Sequence, residues 1–218
     1  MTGAGEAAAQ LIGAQRWFGS KARPLVGGRV VDAGDLPDGC VFALYEAEFA
    51  DGGSELYQLP HRIAASGALE LSLADPVLGG SLLVALRHSA AVSTRAGRLE
   101  FTLVGELPGA ADLEPVRAVG GEQSNSSVVF GERVILKAYR RLEAGESPEL
   151  ELLRVLDAQG FEHTPRLLGW YRYAGESLDA TLGLLQEFVA DAPDGWALAL
   201  ESFADPASFH ASLGQLGA

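Results

Sequence analysis

Between Val41 and Phe49 apolar and polar side chains alternate in places, and the run stops at Asp51-Gly52-Gly53, a hairpin signal that sends the chain back through Glu55 to Ile63. Ser81 to His88 reads as a short helix, Glu6 to Gly13 as another, and Gly97 to Val104 as a further strand. The pattern then becomes more regular. Glu114 to Val119, Ser126 to Phe130 and Arg133 to Tyr139 are β-rich runs, the last two meeting at the tight turn Gly131-Glu132. Ser147-Pro148-Glu149 opens a helix with an N-cap residue, a proline at its first position and an acid in the first turn. Leu150, Leu153, Val155 and Leu156 provide its apolar face up to the stop at Gly160. Arg166 to Tyr173 and Thr181 to Phe188 are two more strands. The expected class is α+β: a small antiparallel sheet with helices, then a second antiparallel sheet with one helix.

Composition narrows the function classes. Lys and Arg total 16 against 29 Asp and Glu, a net charge of −13, which repels nucleic-acid phosphates and anionic lipid heads. The charge is uneven: residues 1–110 carry 8 − 12 = −4 and residues 111–218 carry 8 − 17 = −9. The proline-containing stretch Leu107 to Asp112 lies at the change and reads as a connection between domains. Cys40 is the lone cysteine, so no internal disulfide forms, which fits a reducing cytoplasm. Met1 to Gln10 has no basic n-region, and the apolar run Gly79 to Leu86 is too short to cross a membrane, so a cytoplasmic protein without membrane or nucleic-acid partners is expected. The four histidines have no metal-ligand spacing.

Two stretches carry candidate chemistry. From Gly120 to Ser127 small and hydroxyl side chains sit between two strands, where backbone amides can approach phosphate oxygens. No Gly-Lys-Ser/Thr and no helix follow, so this is not a P-loop, and an ordinary polar hairpin turn accounts for it equally well. The next strand, Val134 to Tyr139, carries Lys137, one of only two lysines beside 14 arginines. The following helix brings Glu149 and Glu151. A strand lysine bridged to a helix glutamate beneath a small-residue loop is how kinases hold the α- and β-phosphates of ATP, because a flexible ammonium must be anchored where the phosphates arrive. The bland alternative is an edge-strand lysine beside solvated acids.

Taken together, Gln15 to Arg23, Glu55 to Pro60, Gly121 to Gly131, Val134 to Arg141, Pro148 to Glu151, Leu185 to Val189 and Asp194 to Trp196 resemble bacterial maltokinases, relatives of the aminoglycoside-phosphotransferase-like kinases. The resemblance implies a cap subdomain over 1–110, a kinase-like N-lobe over 111–189 and the start of a C-lobe over 190–218. It implies transfer of the γ-phosphoryl of ATP to maltose, with Mg2+ and a place in α-glucan synthesis; trehalose synthase is a candidate partner enzyme. Ser124, Asn125, Ser126 and Ser127 would line the phosphate loop and Lys137 would hold the phosphates. Glu151 would be its helix partner, with Glu149 second, and Gln186, Glu187, Phe188 and Val189 would form the adenine hinge. The family's catalytic His-Gly-Asp run has no counterpart, since no Asp follows His61, His88, His163 or His210 within two residues. No catalytic or metal residue is therefore assigned, and the chain is expected to be inactive by itself. A glucosamine kinase of the same architecture and a non-catalytic module binding a partner enzyme or a glucan are the alternatives. Trp17 and Phe18, Cys40 and Trp196 read as packing residues.

Overall fold

The computed structural model describes residues 9–119 and 125–190, together with 192, 199 and 200. By contacts the chain divides into residues 1–188 and residues 189–218. Within the first unit the strands are β1 (Leu25–Asp35), β2 (Val41–Phe49), β3 (Ser54–Gln58), β4 (Arg62–Ile63), β5 (Leu69–Glu70), β6 (Ala91–Ser93), β7 (Gly97–Leu103), β8 (Val116–Ala118), β9 (Asn125–Phe130), β10 (Val134–Tyr139), β11 (Arg141–Leu142), β12 (Leu167–Gly175) and β13 (Asp179–Glu187). Helix α1 (Pro76–Arg87) precedes β6, and α2 (Pro148–Ala158) lies between β11 and β12. The fold is α+β, with antiparallel pairing within every sheet: β1-β2-β3-β11, β6-β7-β12-β13-β10-β9-β8 and the two-stranded β4-β5.

Residue 110 is not a boundary of packing. Strand β7 pairs with β12 from Gly97↔Gly175 to Leu103↔Gly169, and β11 pairs with β3 at Arg141↔Tyr57. Each large sheet thus contains strands from both sides of the expected division. The charge step and the proline stretch mark a surface connection, which closes into a short 3-10 turn at Ala110–Leu113.

The weak alternation of β2 has a physical cause: both of its faces are covered. Phe42 and Leu44 enter the main core with Leu82, Leu86, Leu136 and Leu182. Ala43, Tyr45, Ala47 and Phe49 enter a second core with Ile12, Trp17, Phe18 and Tyr57. A strand covered on both faces reads as a nearly continuous apolar run. Trp17 and Phe18 are therefore packing anchors, and Cys40, 1% exposed, is a buried apolar residue. The pattern reading missed β1, an edge strand rich in glycine with Val26 and Val30 exposed. At Gly28 a Cβ would lie 2.3 Å from the Tyr45 hydroxyl, so the strand can approach β2 only without a side chain there.

Helix α1 starts five residues before the expected Ser81. Asp75 caps it by accepting from the Leu78 N–H at 2.8 Å, and Pro76 occupies the first turn. The three-residue β9–β10 loop, Gly131 to Arg133, has positive φ at Gly131 (58°) and Glu132 (51°), and the Arg133 N–H closes the turn on the Phe130 carbonyl at 3.0 Å. Among the described residues no helix is long and apolar enough to cross a membrane.

Candidate functional site

Strand β10 shows strict alternation. Val134, Leu136 and Ala138 are buried in the main core, while Ile135, Lys137 and Tyr139 turn to the other face and are half-buried. Helix α2 supplies the partner on that second face. Lys137 Nζ lies 2.7 Å from Glu149 Oε1, and the Tyr139 hydroxyl donates to Glu149 Oε2 at 2.9 Å. Ser147 stands at the N-cap position, yet its side chain does not cap the helix; its hydroxyl lies 3.2 Å from that of Tyr139. Burial pushes the Tyr139 phenol well above its ordinary value, so it stays protonated and able to donate to the carboxylate.

The expected choice of Glu151 as the lysine's partner is corrected to Glu149. Residues two apart on a helix point about 200° apart, so both cannot face the same strand. With Leu150 and Leu153 buried against the sheet, Glu151 is left exposed, on a groove with Arg154 and Trp170.

The loop residues are placed as follows. Ser124 and the preceding Gly120 to Gln123 lie outside the described residues, as do Asp194 and Trp196. Asn125, Ser126 and Ser127 pair across β9–β10 with Tyr139, Ala138 and Lys137. Ser127 is thus directly across from Lys137 on the same face. Ser126 faces the other way, and its hydroxyl accepts from Arg140 Nε at 2.8 Å.

Of the expected hinge, Gln186 is buried and pairs with Ile135, one step before the β10–β13 ladder ends at Val134↔Glu187. The N–H of Glu187 donates to the Arg166 carbonyl at 3.0 Å, and that of Phe188 to the Arg133 carbonyl at 2.8 Å. The Phe188 ring lies under the Arg117 guanidinium at 5.2 Å. Val189 is exposed and begins the second unit. Two of the main-chain donors expected to read a base are therefore already engaged.

Three polar centres escaped the sequence reading. Asp32, fully buried, accepts from the Tyr173 hydroxyl at 2.7 Å, from the Thr94 hydroxyl, and from the N–H groups of Ala33 and Ala96 at 2.8 and 3.1 Å. Burial raises its pKa, but these four donors outweigh burial and hold it below the usual value. Gln58 donates to the carbonyls of Tyr139 and Leu182 and accepts from Tyr171. Arg140 is 1% exposed. A signal for Arg140 was available: it continues the buried positions 134, 136 and 138. Among the described residues no group of three His, Cys, Asp or Glu side chains is gathered to hold a metal.

No protein-family model matches the sequence. Solved structures do resemble it. Glucosamine kinase in complex with glucosamine, ADP and inorganic phosphate superposes with a TM-score of 0.59 at 22% identity, over 89% of this chain and 44% of that one. Crystal form A of glucosamine kinase gives 0.59 at 21%, over 93% and 45%, and crystal form B gives 0.60 at 22%, over 89% and 43%. At this identity the likeness is one of fold: the chain has a partial kinase-like fold and spans less than half the length of the kinases it matches.

Proposed function

We propose that this chain is the nucleotide-holding part of an ATP-dependent sugar kinase. The observation that carries the reading is the Lys137–Glu149 pair, 2.7 Å apart, on the sheet face that also bears Ser127 of β9. Lys137 would meet the α- and β-phosphates, and Glu149 would hold the ammonium where they arrive. Ser124 to Ser127 would shape the phosphate loop, with Asn125 and Ser127 on the lysine's side. Gln186 to Val189 would border the adenine through the main-chain groups that the fold leaves open. Mg2+ would neutralise the phosphate charge, but neither its ligands nor a catalytic base is assigned in this chain, so the chain alone would hold ATP weakly and turn over nothing.

Maltose as acceptor, with maltose 1-phosphate as product and trehalose synthase as partner, rests on the sequence resemblance. Glucosamine as acceptor is the second reading, favoured by the structural likeness to glucosamine kinases. Calorimetric titration of the 218-residue chain with ATP tests the core of the proposal. ATP should bind in the millimolar range, and Lys137→Ala should weaken it about tenfold, the loss of one charge-assisted contact. Unchanged affinity in Lys137→Ala would remove the assignment. Turnover of maltose against glucosamine by a longer protein carrying this chain decides the acceptor.

A further inference from the structure

One residue past β10, in line with its buried positions 134, 136 and 138, a second cation is held quite differently. Arg140 is 1% exposed, and no carboxylate pairs with it among the described residues. Its Nε donates to the Ser126 hydroxyl at 2.8 Å and one terminal nitrogen to the Leu71 carbonyl at 3.0 Å. The other terminal nitrogen, Nη1, is buried without any hydrogen-bond partner. The guanidinium lies over the Trp17 ring at 5.0 Å. Tyr171, which lies close enough to influence it electrostatically, supplies no counter-charge, because burial pushes that phenol well above its ordinary value and its hydroxyl donates to Gln58. Burial also lowers Arg140 itself, to about 10, which leaves it fully charged at neutral pH.

A buried charge without a partner is costly, and buried charges in folded proteins are paired or bind something. Arg140 lies on the wall of a cleft of about 450 Å3, which Gln15, Arg16, Trp17, Ser72 and Ser126 also line. That volume suits a small molecule. Arg16 is exposed and has no ion pair among the described residues, so two guanidinium groups address one cleft. Glu70 also lines it, its carboxylate accepting from the Ser72 N–H at 2.7 Å, so the ionised side chains on the wall are two cations and one anion. Arginine presents its donors in a fixed fork that fits the oxygens of a phosphate group.

We propose that this cleft is a phosphate-binding site, with the Arg140 guanidinium in its inner wall, Arg16 at its mouth, and free phosphate or the phosphate group of a small ester as its ligand. Asn125 and Ser127 line it too, so it borders the loop proposed above for the nucleotide phosphates, but Lys137 does not line it and Arg140, not Lys137, is the cation it needs.

The test uses the 218-residue chain, its Lys137→Ala, Arg140→Met and Arg16→Ala variants, and side-chain NMR of the Arg140 Nε–H with thermal unfolding alongside. Sodium phosphate and glucose 6-phosphate are titrated against sodium chloride at matched ionic strength. Phosphate or the ester should move the Arg140 resonance and raise Tm in both wild type and Lys137→Ala, with affinities equal within about twofold, while chloride does neither. Tighter binding of the ester assigns a phosphorylated small molecule, and equal binding assigns free phosphate. Arg16→Ala, an exposed change that leaves the fold alone, should weaken binding several-fold, and Arg140→Met should abolish the Tm response. A resonance that moves with neither probe overturns the proposal, as does a full Tm response in Arg140→Met. A response lost in Lys137→Ala also overturns it, by placing the phosphate on the other face.

Discussion

Strand β10 and the residue that follows it treat positive charge in opposite ways on their two sides. On one, Lys137 and Glu149 meet at 2.7 Å with side chains 26% and 36% exposed. On the other, Arg140 is almost fully buried, is held by one hydroxyl and one carbonyl, and has no carboxylate partner among the described residues. Water keeps the first pair inexpensive to form and to separate, so its ammonium can be redirected toward an arriving phosphate. The second group cannot move without breaking the core around it. A mobile, paired cation suits a ligand that comes and goes during a reaction, whereas a fixed, unpaired one suits a site already shaped for an anion.

The largest expected effect tests whether the two faces differ at all. Leu136→Ala, on the buried face, should cost about 2–5 kcal/mol in urea unfolding, and Ile135→Ala, on the half-buried face, less than half as much. Equal costs would erase the distinction between the faces. Next in size is Asp32, which ties β1 to β12 through Tyr173. Asp32→Ala leaves four donors without their acceptor and should cost about 2–4 kcal/mol at pH 7. Its folded-state pKa is lowered, so the ionised form's contribution is fully present above the unfolded value of about 3.9 and is lost as pH falls through the folded one. The gap between wild type and Asp32→Ala should therefore narrow below about pH 4. A gap that stays constant down to pH 2 would show that the charge is not what matters.

A smaller effect sharpens the contrast between the cations. In phosphate-free buffer Arg140→Met should be no less stable than wild type, because removing an unpaired buried charge offsets the two hydrogen bonds lost. Destabilisation beyond about 2 kcal/mol would mark Arg140 as a structural tie. The smallest change belongs to the exposed pair. Glu149→Gln should alter stability by less than about 1 kcal/mol. If Lys137 meets phosphates, the same change should weaken ATP binding several-fold while Glu151→Gln leaves it unaltered. The reverse order would restore Glu151 as the partner.

Elements with strong local signals were legible. The β9–β10 hairpin is written in Gly131-Glu132, α2 in Ser147-Pro148, and the strand character of β2, β7, β12 and β13 in their apolar runs. Strand β1 was not, because Gly28 answers to Tyr45 across the ladder and Gly34 to Ser93 and Thr94, rather than to any local preference. Of the candidate site, Lys137 was legible as an unusual lysine in an apolar strand. Choosing Glu149 over Glu151 needed the rotation of α2 about its axis, which Leu150 and Leu153 set by packing on the sheet.

By itself the sequence determined the α+β character, the acidic surface and the order of lysine strand and acidic helix, since alternation, turn residues and caps act over a few neighbours. Only the tertiary structure decided that strands from both sides of residue 110 share two sheets, that Asp32 reaches Thr94 and Tyr173, and that Arg140 lies buried between Ser126, Leu71 and Trp17. Those contacts join residues up to 141 positions apart. No local propensity encodes such pairings; they form because burying both faces of the sheets brings distant segments together.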